Sequence, residues 1–213
     1  MKLVSNVLVA AILATGAVNW AQAAGDPQAG KEKSATCAAC HGPNGNSTIP
    51  NFPKLAGQVE KYTLKQLQDM KSGARQVPQM TAIVAGLSDQ DMADLAAYYA
   101  EQEVTTGTAD PELAEKGAKL WRAGNAEAGV TACAGCHGAA GKGMPEAAFP
   151  ALAGQHAAYT QAQLEAFRAA GRGDHEGPYR NNDGDAMMMR STAARLTDDD
   201  IQALASFING LYD

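Results

Sequence analysis

Runs of β-branched residues are scarce in this chain, aromatic residues make up only 6% of its 213 positions, and cysteine occurs four times. The first shortage removes the raw material for strands, and with it thioredoxin-like and other sheet folds. Few aromatics in an alanine-rich chain give a unit of roughly 80–100 residues only a modest core of its own. Beyond the first 23 residues no segment is apolar and long enough to cross a bilayer. Positive charge is also short, with 17 Lys and Arg against 23 Asp and Glu and a formal net charge of −6. That balance excludes nucleic acid as the expected partner and favours a partner with a positively charged docking patch.

What is present begins with an export signal. Lys2 supplies a charged n-region, an apolar run extends from Val7 to Val18, and Ala21-Gln22-Ala23 is a small-residue cleavage site. The pattern predicts a signal peptide over residues 1–23 and a mature chain starting at Ala24. The apolar run is short and is bounded or interrupted by Asn6, Thr15 and Asn19, which disfavours an uncleaved membrane anchor.

Four cysteines in an exported protein would ordinarily suggest two disulfides. Here, however, Cys37 and Cys40 are followed at once by His41, and Cys133 and Cys136 by His137. Two copies of C-x-x-C-H form the attachment signal for c-type haem. Positions three apart share one face of a helical turn, so both thiols reach the two vinyl groups along one porphyrin edge. The adjacent imidazole then serves as the proximal iron ligand. A redox dithiol would need a sheet fold, and zinc sites seldom place the histidine directly after the second cysteine.

The chain repeats more than its cysteines. Cys37, Cys40 and His41 map onto Cys133, Cys136 and His137 with an offset of 96. Phe52-Pro53, Leu55 to Gln58 and Tyr62 map onto Phe149-Pro150, Leu152 to Gln155 and Tyr159 with an offset of 97. "GLSDQDMADLAAYYA" from Gly86 matches "RLTDDDIQALASFIN" from Arg195 with an offset of 109, so the second copy carries about twelve extra residues after Tyr159. Ser88 with Asp91, and Thr197 with Asp200, read as capping boxes. They precede apolar stripes at Met92, Leu95, Ala96, Tyr99 and at Ile201, Leu204, Ala205, Ile208. Further helices are predicted over Tyr62 to Lys71 and Tyr159 to Arg168, with Gly73 and Gly171 as stops. Asp110-Pro111 opens another, after the linker-like "EVTTGTA" from Glu103. The expectation is an all-α protein of two tandem, homologous helical domains, each wrapped around one covalent haem. The boundaries are 24–104 for the first, a linker at 105–110, and 111–213 for the second.

A histidine-ligated haem iron has a sixth position, and its occupant separates a carrier from an enzyme. Met80, in "RQVPQM", lies between the middle and last helices of the first unit, in what reads as a Pro-containing loop; Met70 and Met92 read as core. Of Met187, Met188 and Met189, the last precedes Leu196 by seven residues, as Met80 precedes Leu87. Met189 is therefore the expected equivalent. Two irons each closed by histidine and methionine leave no vacancy, which points to outer-sphere electron transfer rather than catalysis. A soft thioether favours the ferrous state and raises the potential.

"CAACHG", "NFPKLAGQ", "YTLKQLQDM", "LSDQDMADLAAYYA", then "CAGCHG", "FPALAGQHAAYT" and "NNDGDAMMMR" together resemble the dihaem cytochrome c4 family of the cytochrome c superfamily, over nearly all of the mature chain. The resemblance implies two class-I-like domains about a pseudo-twofold axis and two haem c groups ligated by His41 with Met80 and His137 with Met189. It also implies a monomeric bacterial periplasmic carrier, often loosely attached to the inner membrane, that takes electrons from a quinol-oxidising complex (quinol–cytochrome c reductase) towards a terminal oxidase. The alternatives are a dihaem subunit of a flavocytochrome c-type enzyme and a dihaem peroxidase. The latter would need one iron open to peroxide. Similar cytochromes use a proline carbonyl to accept the proximal Nδ1–H, and Pro53 and Pro150 either do this or merely shape their loops. Gln58, Gln155, Tyr62 and Tyr159 are candidates for haem propionates, the tyrosines equally for the core. His156 and His175 read as surface or propionate-side residues, and residues 172–185 as a polar insertion of no legible purpose.

Overall fold

The computed structural model describes residues 24–212, so the signal-peptide reading of residues 1–23 lies outside the described residues. Among the described residues regular structure is helical. In the first half it comprises α1 (Pro27–Lys33), α2 (Ala35–His41), α3 (Glu60–Ser72), α4 (Pro78–Ala85) and α5 (Asp89–Ala100). The second half repeats the order with α6 (Pro111–Ala123), α7 (Ala134–His137), α8 (Ala157–Arg172), α9 (Met188–Ala193) and α10 (Asp198–Asn209).

Local chemistry explains most boundaries. Ser88 and Thr197 accept from the N–H groups of Asp91 and Asp200, whose carboxylates return the bond, so both expected capping boxes form. Asp110 caps α6 ahead of Pro111. Two expectations need correction. Met80 is not in a loop but in the first turn of α4, because Pro78, with its fixed φ and no N–H, starts a helix there. Gly171 does not end α8, which runs on to Arg172 and stops at Gly173 with φ of 74°. Gly171 serves packing instead: a Cβ there would lie 2.3 Å from the Arg190 carbonyl oxygen of α9.

The halves share one packing scheme. α1 crosses α5 at Gly30, and α6 crosses α10 at Gly117; added Cβ atoms would sit 2.0 Å from the Asp94 carbonyl oxygen and 2.3 Å from that of Ala203. Backbones this close admit only glycine. The cores differ in content. In the second half Trp121 is wholly buried and donates its indole N–H to the Ala139 carbonyl at 2.9 Å. In the first half the equivalent carbonyl, of Pro43, receives the Tyr98 hydroxyl at 3.3 Å instead.

Docking of α1 depends on Asp94, whose side chain accepts from the Asp26 N–H at 2.9 Å, the Lys33 ammonium at 2.8 Å and the Gln90 amide at 2.7 Å. Burial alone would raise its carboxyl pKa, but these donors prevail and hold it below the ordinary range. The sign follows: the stabilisation is present above the ordinary carboxylate pKa and fades as pH falls through the lowered one. Asp94→Asn is expected to cost about 1 kcal/mol, because Lys33 is partly solvated. Hydrogen exchange of the α1 amides should quicken in this variant at neutral pH and converge with the parent in acid.

The two halves meet through a reciprocal contact. Gln58 accepts from the Ala151 N–H at 2.8 Å and donates to the Ala151 carbonyl at 2.9 Å. Gln155 does the same to Lys54, at 2.9 Å both ways. Since Gln58 and Lys54 are repeat equivalents of Gln155 and Ala151, this is the isologous pairing of a twofold interface. His156 adds an unpaired contact across it, its Nε2 lying 2.8 Å from the Ser47 carbonyl.

Candidate haem sites

In the first half α2 carries Cys37, Cys40 and His41 through one and a half turns; α7 offers Cys136 and His137, with Cys133 at its cap. Both segments stop at a glycine with φ of 79°, Gly42 and Gly138, which turns the chain away behind the histidine. His41 and His137 are buried, and each Nδ1 bonds a proline carbonyl, Pro53 at 2.8 Å and Pro150 at 2.9 Å. A carbonyl only accepts, so Nδ1 carries the proton and Nε2 keeps its lone pair. Burial lowers both imidazole pKa values against the opposing pull of the carbonyl bond, keeping the rings neutral. Phe52 and Phe149 flank the two imidazoles at centroid distances of 6.2 and 6.5 Å.

The four cysteines are free of disulfides. Burial pushes the Cys133 thiol up to about 11 and raises Cys37 as well, the reverse of what an activated redox dithiol shows.

One continuous cavity of about 1530 Å³ reaches both motifs. A single small-molecule pocket holds roughly 300–1,000 Å³. Its lining brings together all eight residues singled out in the sequence: Cys37, Cys40, His41 and Met80 from the first half, Cys133, Cys136, His137 and Met189 from the second. Of the three consecutive methionines, Met189 lines the cavity and packs on the buried core of its half, Met188 lines the cavity but is largely exposed, and Met187 is exposed and absent from the lining.

Sequence reasoning named the tyrosines on the polar side of the cavity but missed the two arginines that hold them. Arg75, from the first half, donates to Tyr159 and Gln163 of the second and to Gln66 of its own, each at 3.0 Å. Arg180, 8% exposed and part of the insertion at 172–185, donates to Tyr62 at 2.9 Å, Gln66 at 2.8 Å and Gln163 at 2.9 Å. Tyr62 and Tyr159 are thus hydrogen-bonded to arginine, and Gln58 and Gln155 are committed to the other half's backbone. Burial would raise the Tyr62 hydroxyl pKa, but the guanidiniums of Arg180 and Arg75 outweigh it and lower it. Neither arginine makes a carboxylate ion pair among the described residues; Asp69 is held nearby through Asn182 at 2.6 Å. The hydroxyls of Thr63 and Thr160 are buried without a partner among the described residues. One signal could have found part of this set: Y-T-x-x-Q-L occurs at 62–67 and again at 159–164, placing tyrosine, threonine and glutamine on one helical face. His175, by contrast, lies in an exposed stretch against Tyr179.

These features fit two haem c groups. The cavity has apolar walls, thiols at thioether spacing, neutral imidazoles, and a cationic, hydroxyl-bearing side suited to propionate carboxylates.

Comparison with known proteins agrees. The family profile described as "Cytochrome c" matches residues 27–102 and again 114–211. The chain is 50% identical to cytochrome c4 of Stutzerimonas stutzeri over 98% of its length and all of that protein. The chain belongs to the cytochrome c4 family. In fold it is similar to the crystal structure of reduced recombinant cytochrome c4 from Pseudomonas stutzeri, with a TM-score of 0.83 at 51% identity, covering 89% of this chain and 100% of that one. It is also 40% identical to the thiosulfate dehydrogenase electron acceptor of Stutzerimonas stutzeri (strain A1501), over 80% of this chain and 76% of that one. As a cytochrome c4 family member it has two cytochrome c domains, holds two covalent haem c groups and transfers electrons; it is not an enzyme. Among the described residues no helix is long and apolar enough to cross a membrane.

Proposed function

We propose that the chain carries single electrons in a respiratory chain, from a quinol-oxidising complex towards a terminal oxidase. His41 and Met80 close one iron, His137 and Met189 the other. The domains span 24–104 and 111–213 about a linker at 105–110, and the protein works in the periplasm after loss of residues 1–23. The carrying observation is duplication: each half contributes two cysteines, a carbonyl-braced histidine and a methionine to one cavity. Each haem c supplies a one-electron ferric/ferrous couple. The protein's part is to hold that couple fixed. The Pro53 and Pro150 carbonyls orient the imidazoles and increase their basicity. The thioethers of Met80 and Met189 favour the ferrous state, as do the low-dielectric walls. Arg75, Arg180, Tyr62 and Tyr159 would meet propionate charge, and the buried Thr63 and Thr160 hydroxyls would gain a partner there.

A redox titration of the exported protein with low-temperature paramagnetic resonance tests the ligand set. Two low-spin histidine–methionine signals and two one-electron steps are expected, and a high-spin signal from either iron would overturn it. The 40% identity to a thiosulfate dehydrogenase electron acceptor favours a second source of electrons, a thiosulfate-oxidising enzyme. Stopped-flow reduction by purified quinol-oxidising complex and by thiosulfate dehydrogenase distinguishes the two. The true donor should react with a second-order rate constant that falls with salt, as steered association does.

A further inference from the structure

We propose that Asp183 is a positioning residue for Met189, holding the second haem's methionine through Arg190. This rests on the reading above that Met189 is an iron ligand. The two halves present their methionines by different means. In the first, residues 73–77 link α3 to α4; Pro78 fixes the entry, and the Met80 N–H closes a turn on the Val77 carbonyl at 2.8 Å. In the second, irregular chain from 173 to 187 joins α8 to α9, and no proline starts α9. A segment that long carries much more conformational entropy, so a ligand at its end stays in place only if something ties it down.

The Asp183 carboxylate provides the tie. One oxygen accepts the Arg190 N–H at 2.9 Å and the other accepts Arg190 Nε at 2.5 Å, while Nη2 donates to the Gly184 carbonyl at 2.7 Å. The Arg190 N–H belongs to the peptide unit that also contains the Met189 carbonyl, so the grip is on the backbone immediately beside the methionine. From the other side the Arg190 carbonyl rests on Gly171 of α8, at a place that has no room for a Cβ. Met187 lies in the left-handed region, φ 50° and ψ 31°, which a residue with a side chain adopts only under constraint. The carboxylate and guanidinium are 7% and 17% exposed, so solvent does little to weaken them. The base of the loop is anchored as well. Arg180 bonds Tyr62 and Gln66 of the first domain, and Asn182 bonds Gln66 and Asp69 there.

The test is ligand exchange at ferric iron. Imidazole competes for the sixth position only when the methionine is off, so its apparent affinity scales with the population of that state. In the full dihaem protein, Asp183→Asn should tighten imidazole binding at the second haem about tenfold or more, leaving the first haem within about twofold. The sulfur-to-iron absorption band and the shifted methyl resonance of each coordinated methionine, assigned with Met80→Ala and Met189→Ala, report the haems separately. Arg190→Gln keeps the bond to the amide and should act in the same direction with smaller size; it carries the test if Asp183→Asn does not accumulate with both haems. Equal tightening at both haems, or none at the second, overturns the role of Asp183. A band and methyl resonance unaffected by Met189→Ala overturn instead the assignment of the ligand.

Discussion

With Cys133 and Cys136 both replaced by alanine, the second domain is expected to lose its tertiary structure while the first keeps one haem. The reason is the size of the space that haem fills. A domain is stable by only roughly 5–15 kcal/mol, and leaving its share of the 1530 Å³ unfilled strips partner atoms from much of its apolar core. The buried second-domain residues Leu196, Leu204 and Ile208, which line that cavity, cannot hold the fold against such a void. Mass spectrometry should find one haem per chain. Hydrogen exchange should show α6, α8 and α10 unprotected and α1, α3 and α5 close to the parent. Native-like protection throughout the second domain would show that the polypeptide folds independently of its cofactor, against the linkage of binding to folding.

How much of this was readable in advance depends on the range of the interaction. The cysteines, histidines and capping residues act within one or two turns, so Cys37-x-x-Cys40-His41 and Ser88 with Asp91 reveal themselves in contiguous sequence. Met189 was singled out over Met187 and Met188 because repeat register substitutes for an alignment. Gly171 and Gly173 show where local reading fails. Either could end α8, and only the tertiary fact that the Arg190 carbonyl crosses at Gly171 assigns them their different tasks. Met80 was misplaced for a related reason, since a proline reads equally as a loop residue or as the first residue of a helix.

The interface was least legible. Gln58 and Gln155 were visible as a repeated pair, but their partners are backbone groups of the opposite half, and no local pattern encodes a twofold contact between unequal sequences. Arg75 and Arg180 share no repeat offset, because the insertion shifts the second relative to the first. Their roles as structural equivalents appear only in three dimensions, where each reaches across to the other half's tyrosine. The insertion thus has two uses, an arginine in the interface and an aspartate beside the methionine.

Arg180→Ala is expected to weaken the joint between the domains and lower both reduction potentials. Its guanidinium donates to Tyr62, Gln66 and Gln163 and lies 4.5 Å from the Phe167 ring centroid. The two glutamines keep Arg75 as a donor, but Tyr62 is left without its arginine, and a void opens beside Phe167. Losing several charged hydrogen bonds at a mostly buried position should cost about 2–4 kcal/mol. If that free energy belongs to the interface, calorimetry will resolve one unfolding transition into two. A single transition at lower temperature would place it inside one domain. The redox effect has a definite sign. A buried cation opposes the extra positive charge of ferric haem, so its removal favours the oxidised state and both potentials fall, by an amount on the order of tens of millivolts. Because Arg180 is shielded from solvent, the shift should persist at high salt, whereas loss of an exposed charge such as Lys119 should produce a smaller one that added salt removes. Unchanged potentials in Arg180→Ala would mean that the arginines join the domains without acting on the haems.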